Sequence, residues 1–419
     1  MNIYAIVILV TLVFSFIVGM VTEILNLKAL RDELPQEFVG AFDADAYRKS
    51  QEYTRVKTRF WFLTSTFDFI VILAFWFAGG FQYLDGIVRG LRLNPILTGL
   101  AYIGILVAAK LALSLPFSLY STFVIEERFG FNKTTLGTYI ADRLKGLGLG
   151  VLLGAPILCG ILAFFQYAGA ASWLYCWGAA TLFMLFIQFI APTWIMPMFN
   201  KFTPLPEGEL RRAILSYAKS VGFPLKNLFV MDGSRRSSKA NAFFTGFGKN
   251  KRIALFDTLI EKHSVPGLVA ILAHEIGHYK KRHIVYGMVI RILHMGVMFY
   301  LISIFVSRAG LFEAFHIEHP SVYAGLVLFG LLYTPVETVL SVFMQIYSRR
   351  NEYQADRYAA ETTGDPDSMI QALKLLSLHN LLNLTPHPLY VFLNYSHPPV
   401  LARIRALGQI RMGFRGQAP

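Results

Sequence analysis

Leu268-Val269-Ala270-Ile271-Leu272-Ala273-His274-Glu275-Ile276-Gly277-His278-Tyr279 is an apolar run that closes on two histidines four residues apart. On a helix, positions four apart lie one turn apart on one face, so both imidazoles reach a single cation. Glu275 stands beside them, free to act as the base that takes a proton from water. A catalytic zinc site needs a third protein ligand and an open position. The stretch Ser348-Arg349-Arg350-Asn351-Glu352-Tyr353-Gln354-Ala355-Asp356 supplies a candidate in Glu352. Asp356, one helical turn later, is placed to hydrogen-bond the outer nitrogen of a ligating histidine and fix its tautomer. The expected cofactor is one Zn2+ per chain, held by His274, His278 and Glu352.

The rest of the chain is a membrane protein by composition. Of its 419 residues 55% are hydrophobic, and the mean hydropathy is +0.49. That is too apolar for an ordinary soluble globule. Only 16% of residues are charged, yet the net charge is +13, an excess that membrane proteins concentrate in cytosolic loops. No basic cluster alternates with aromatics, which argues against a nucleic-acid partner. Cys159 and Cys176 both lie in apolar stretches and read as buried small hydrophobes. The apolar start, Met1 to about Met20, lacks a basic leader and a convincing cleavage site, so it reads as a retained span.

About seven apolar runs are long enough to cross a bilayer, at roughly 3–24, 60–82, 95–119, 146–168, 172–195, 284–307 and 321–346. The expected organisation is therefore five spans over 1–196, a catalytic segment over 197–283, spans six and seven over 284–346, and a second catalytic segment over 347–419. Lys28, Arg31, Arg48, Lys49, Arg55, Lys57 and Arg59 fill the loop after the first span. Arg128, Lys133, Arg143 and Lys145 follow the third. All strongly basic segments share one side if the N-terminus is outside and the C-terminus cytosolic, which puts the metal site at the cytosolic face. Asp68, Lys110, Arg291 and Glu337 fall inside spans. Facing lipid, each would cost several kcal/mol, so they pair with one another or line water.

Around the metal, residues 237–248 and 252–257, with Lys249-Asn250-Lys251 between, read as strand, turn, strand. Such an edge, at Ala242 and Phe243, can hold a substrate as an added strand through its main chain. His397, in Asn394-Tyr395-Ser396-His397-Pro398-Pro399, sits in a rigid loop and is suited to donate to an oxyanion. Arg403 is suited to bind a carboxylate or a carbonyl. His263, His283, His316, His319, His379 and His387 have no partner at ligand spacing and are expected in loops or interfaces. Leu84-Asp85-Gly86 is expected in a short outside loop, unconnected with the metal.

Together these residues resemble the type I CAAX prenyl endopeptidase family of membrane gluzincins. The likeness rests on Glu126 to Thr135, Met198 to Leu205, Asp232 to Ser238, Asn241-Ala242-Phe243, His274 to His278, Arg349 to Asp356 and Tyr395 to Pro399. It implies an α-helical multi-span fold in which seven helices form a chambered barrel, capped by a zincin-like α+β domain. It implies zinc on His274, His278 and Glu352, with Glu275 as base. It also implies that Asn241 and His397 stabilise the tetrahedral intermediate, and that Arg403 helps place the substrate. The short loop from about Arg308 to Pro320 and the compact tail favour a bacterial inner-membrane member, with the endoplasmic reticulum membrane as the location if the chain is eukaryotic. The expected activity is a membrane-embedded zinc endopeptidase acting on a peptide or protein, prenylated or unmodified. The alternatives are a quality-control metalloprotease for unfolded or stalled chains, and an inactive transporter or channel. An intact Glu275 argues against the last, because a conduit needs no base.

Overall fold

The structure, a computed structural model, describes residues 1–225, 227–245 and 252–415. Among them, seven helices are long and apolar enough to cross a membrane: Ile3–Lys28, Ala44–Phe77, Pro95–Glu126, Leu136–Tyr167, Gly169–Phe199, His283–Phe305 and Val322–Thr363. They pack as a ring in chain order. Span one touches span two, three touches four, and so on to span seven, which returns to span one. Spans two and three meet through the rings of Phe67 and Phe117, 4.9 Å apart, and through Lys110 Nζ on Asp68 Oδ1 at 2.6 Å. The most apolar stretches of these helices are only 6–17% buried. A solid bundle would bury far more; a single shell of helices exposes both an outer and an inner face.

Spans three and seven meet across the ring at the end away from the metal site. A Cβ on Gly99 would lie 2.9 Å from the Tyr323 Cβ, so spans three and seven cross there at close range. Trp76 stacks on Phe315 at 4.6 Å and donates from Nε1 to the Ala314 carbonyl at 2.8 Å. The expected second span, 60–82, differs from the observed helix at both ends. It begins at Ala44, because the charged stretch before residue 60 is itself helical, capped by the Asp43 carboxylate. It stops at Phe77, where Gly79 turns left-handed at φ 71° and opens a separate helix, Gly80–Gly90. Leu84-Asp85-Gly86 lies in that helix and not in a loop. Asp85 is buried there, accepting from the Tyr323 hydroxyl at 2.6 Å and pairing with Arg89 at 2.6 Å.

The opposite end carries the catalytic part. Phe38 and Phe42, from the segment after span one, and Tyr47, from the first turn of span two, share a core with Ala270, Ala360, Leu373 and Leu407. Glu126, at the end of span three, accepts from Tyr53 at 2.6 Å and from Lys239 at 2.7 Å. Arg236 makes a two-pronged bond to Asp142 at 2.7 and 2.9 Å. The basic loops therefore gather at the metal end. Here a four-stranded mixed sheet forms from β1 (Phe202–Pro204), β2 (Asn227–Met231), β3 (Ala242–Thr245) and β4 (Arg252–Phe256), in the order β1-β2-β4-β3. The turn at 246–251, expected between β3 and β4, lies outside the described residues. Leu228, Ile253 and Leu255 of the sheet bury against Leu268, Leu272 and Ile276 of the helix Val265–Lys280.

The seventh span does not stop at the membrane. Residues 321–346 and the Glu352 segment, expected as separate units, form one helix of 42 residues, Val322–Thr363. At about 1.5 Å per residue it runs roughly 63 Å. Nothing between Pro335 and Gly364 breaks it; Gly364, at φ 66°, ends it.

Candidate metal centre and active site

Two helices build the centre. Ser264 caps Val265–Lys280 and Pro266 occupies its first turn, a favoured start. This helix crosses the end of the seventh span at Gly277. A Cβ there would lie 3.1 Å from the Ala355 Cα and 3.2 Å from its carbonyl oxygen. Gly277 sits between the two histidines, and Ala355 sits between Glu352 and Asp356. Their close contact is what brings imidazoles and carboxylates together.

The outcome is a triangle of donors. His274 Nε2 and His278 Nε2 are 3.1 Å apart. The Glu352 carboxylate lies 3.4 Å from the first and 3.3 Å from the second. A tetrahedral cation held at about 2.05 Å needs ligand atoms about 3.3 Å apart. Glu352 Oε2 is buried and accepts no hydrogen bond among the described residues, its near neighbours being His274 Nε2 at 3.4 Å and Arg403 Nη1 at 3.5 Å, so it keeps a lone pair free for a cation. The three residues therefore fit a zinc-sized cation, and two nitrogens plus one carboxylate is a zinc-type donor set.

His274 Nδ1 lies 2.9 Å from Asp356 Oδ1, and Arg403 clamps that carboxylate at 2.7 and 2.6 Å. Burial pushes the His274 pKa down, but hydrogen bonds to Asp356 and Glu352 overcome it and raise it from 6.5 to about 9. The field at this point favours a positive charge. Arg403 has a side chain 11% exposed and sits behind the centre, leaving Nη1 3.5 Å from Glu352. Glu275 is half-buried. His397 reaches in from its proline loop with a side chain 64% exposed, Nε2 3.4 Å from Glu352 Oε1. Beside it opens a cavity of about 370 Å³, walled by Leu373, Leu376, Leu382, Pro399 and Val400.

Among the described residues β3 is an edge strand, paired only with β4, and it touches the Val265–Lys280 helix. Phe256 N–H donates to the Asn241 carbonyl at 3.2 Å, so Asn241 and Phe256 form a hydrogen-bonded pair. In an antiparallel ladder such pairs alternate. The main-chain groups of Ala242 and Phe244 therefore turn to the open edge, and those of Phe243 turn to β4. Consistent with this, Ala242 N–H donates to the Asn241 side chain at 2.9 Å.

Sequence spacing passed over His283. Its Nδ1 lies 3.0 Å from His278 Nδ1, and its Nε2 lies 3.1 Å from Gln354 Oε1. Nor did spacing mark Arg349, which donates to the carbonyls of Val391 and Tyr395 at 3.0 and 2.5 Å and so holds the segment leading to His397. Within the spans, Asp68 pairs with Lys110, both side chains being more than half exposed, and His294 lies 3.3 Å from Glu337 and 2.8 Å from the Tyr333 hydroxyl.

Comparison with known proteins covers nearly the whole chain. Residues 23–201 match the family described as CAAX prenyl protease N-terminal, five membrane helices, and residues 204–411 match peptidase family M48. The CAAX prenyl protease 1 homolog of Oryza sativa is 39% identical over 89% of this chain and 90% of its own length. CAAX prenyl protease 1 of Saccharomyces cerevisiae is 35% identical over 91% and 90%. The crystal structure of S. mikatae Ste24p superposes with a TM-score of 0.92 at 33% identity, covering 97% of this chain and 99% of that one.

Proposed function

The chain belongs to peptidase family M48, on its CAAX prenyl protease branch, and from that premise we propose a zinc endopeptidase that trims the C-terminal tails of prenylated proteins at the cytosolic face of its membrane. It is a multi-pass membrane metallopeptidase by family and by its seven spans. The proposal adds the metal, the substrate and the side. The observation that carries it is the His274, His278 and Glu352 triangle, with edges of 3.1 to 3.4 Å, beside an unligated Glu275. Bound zinc would supply Lewis acidity, polarising the scissile carbonyl and making a water acidic near neutral pH.

The chain's own residues do the rest. Glu275 takes the proton of the attacking water and passes it to the leaving amine. The open edge of β3 holds the peptide through Ala242 and Phe244, which demands little of its side chains. Ser396 Oγ lies 3.0 Å from His397 Nδ1. With that hydroxyl donating, His397 carries its proton on Nε2, the atom facing the centre, and gives it as a hydrogen bond to the oxyanion. Asn241 is the second such donor. Arg403 fixes Asp356, and through it His274, while its Nη1 lies 3.5 Å from Glu352. The cavity beside His397 takes an apolar side chain.

The names of the rice and yeast relatives support a prenylated substrate, and such relatives support the endoplasmic reticulum over a bacterial inner membrane. The basic loops gathered at the metal end support the cytosolic side. The test is peptidase activity of the purified protein on a prenylated C-terminal peptide and on an unmodified unfolded chain. Preferential cleavage of the prenylated peptide is expected; equal cleavage of both would move the assignment to quality control. A compartment reporter after Pro419 should read the cytosol, and one near Glu318 the other side.

A further inference from the structure

The two ligand histidines are supported from behind in different ways. His274 leans on a charged pair, Asp356 with Arg403. His278 leans on His283, and His283 on Gln354. To hold a cation, His278 Nε2 must carry a lone pair, so its proton sits on Nδ1. That proton points at His283 Nδ1, 3.0 Å away, which must then be the acceptor. A neutral His283 therefore carries its own proton on Nε2. Gln354 Oε1, at 3.1 Å, accepts it. Each assignment forces the next, and only one arrangement leaves no donor facing a donor.

The backbone is bent to make this chain possible. In an unbroken helix the fifth residue along lies about 500° round the axis, roughly 140° off the face of the first. His283 would then point away from His278. Arg282 prevents this: it takes φ 59° and ψ 24°, left-handed values that a side-chain-bearing residue adopts at a cost of about 1–2 kcal/mol. The turn ends one helix at Lys280 and starts the next at His283, folding His283 back onto His278. Gln354 lies on the same helix as Glu352 and Asp356. One helix thus supplies a ligand and backs both histidines.

We propose that His283 and Gln354 are positioning residues that lock the tautomer of His278 and set how firmly the centre retains its metal. The proposal rests on the metal-centre reading above. Partners of this kind are typically worth about 10- to 100-fold in metal affinity. The relay ends on a neutral amide, whereas His274 ends on a carboxylate, so His278 is the less basic and more readily released ligand. A carboxylate in place of Gln354 should then tighten the grip.

The experiment loads the full-length protein in detergent with zinc and follows its release to a chromophoric chelator, with no substrate present. His283→Phe, which keeps a ring but removes the acceptor, should release zinc about 10- to 100-fold faster than wild type. His283→Asn, which restores an acceptor near Nδ1, should recover most of the loss. Gln354 is exposed, so its variants carry little folding burden. Gln354→Leu should speed release and Gln354→Glu should slow it; a purely structural role would not produce opposite signs at one exposed position. If His283→Phe misfolds, as judged by its melting profile, the two Gln354 variants decide alone. Wild-type release rates in Gln354→Leu and Gln354→Glu would overturn the relay. A wild-type protein that binds no zinc would instead overturn the metal reading on which it rests.

Discussion

Ala242→Pro tests substrate holding at the edge of β3. The Ala242 N–H turns to the open edge of β3, and the β4 ladder is held by Asn241 and Phe243 on either side. Proline removes that one donor. Among the described residues it forfeits the exposed bond to the Asn241 side chain, about 0.5 kcal/mol at the low end for a hydrogen bond. In the complex it leaves a peptide carbonyl without a donor, about 1–3 kcal/mol, or about 5- to 150-fold in apparent affinity. The assay is steady-state cleavage of two peptides with unrelated side chains, alongside a thermal melt and a zinc determination. KM should rise by a similar factor for both peptides, with melting temperature and zinc near wild type. Phe243→Pro is the control: it strikes the pair with Ala254 in β4 and should lower the melting temperature. An Ala242→Pro protein with unchanged KM for both peptides would refute main-chain pairing at this edge.

Three further outcomes follow from the same geometry. Glu352→Ala removes one corner of the donor triangle and should leave the purified protein with little metal; full occupancy would take Glu352 out of the ligand set. His397→Ala should lower kcat more than it raises KM, because the donor serves the transition state; a change in KM alone would make it a binding residue. His274 in the metal-free protein has its pKa raised from 6.5 to about 9, so its protonated form stabilises the fold below about pH 6.5 and that contribution is lost as pH rises through about 9. Metal competes with this proton, so the rise in melting temperature on adding zinc should grow between pH 6.5 and 9; a flat profile would mean His274 is not a ligand.

The metal centre was legible because its pattern is local. Helical spacing alone puts His274 and His278 on one face, and a polar helix with Glu352 and Asp356 one turn apart announces their partners. Helix ends were not legible, for two different reasons. At Ala44 and after residue 346 the composition changes from apolar to polar while the backbone continues, since no glycine or proline breaks the helix. At Gly79 the apolar run continues while the backbone breaks. A hydropathy window sees only composition, so it places both ends wrongly. Asp85 looked like a loop residue because its partner Tyr323 is 238 positions away. His283 was passed over because its contact with His278 depends on one left-handed residue, Arg282, and lysine-lysine-arginine carries no glycine to signal a turn. Gly277 sat in plain view inside the motif, but its role needs the neighbouring helix, whose Ala355 backbone lies 3.1 Å from where a Cβ would be.

The central claim is that this chain hydrolyses peptide bonds with a metal centre whose base is Glu275. The most direct measurement is turnover and metal content of Glu275→Gln beside wild type, on whichever peptide the wild type cleaves. The substitution keeps shape and leaves His274, His278 and Glu352 untouched, so metal content should match wild type. Turnover should fall by about 10²- to 10⁴-fold, the usual contribution of a positioned general base. Turnover within a few-fold of wild type, with the metal still bound, would contradict the account.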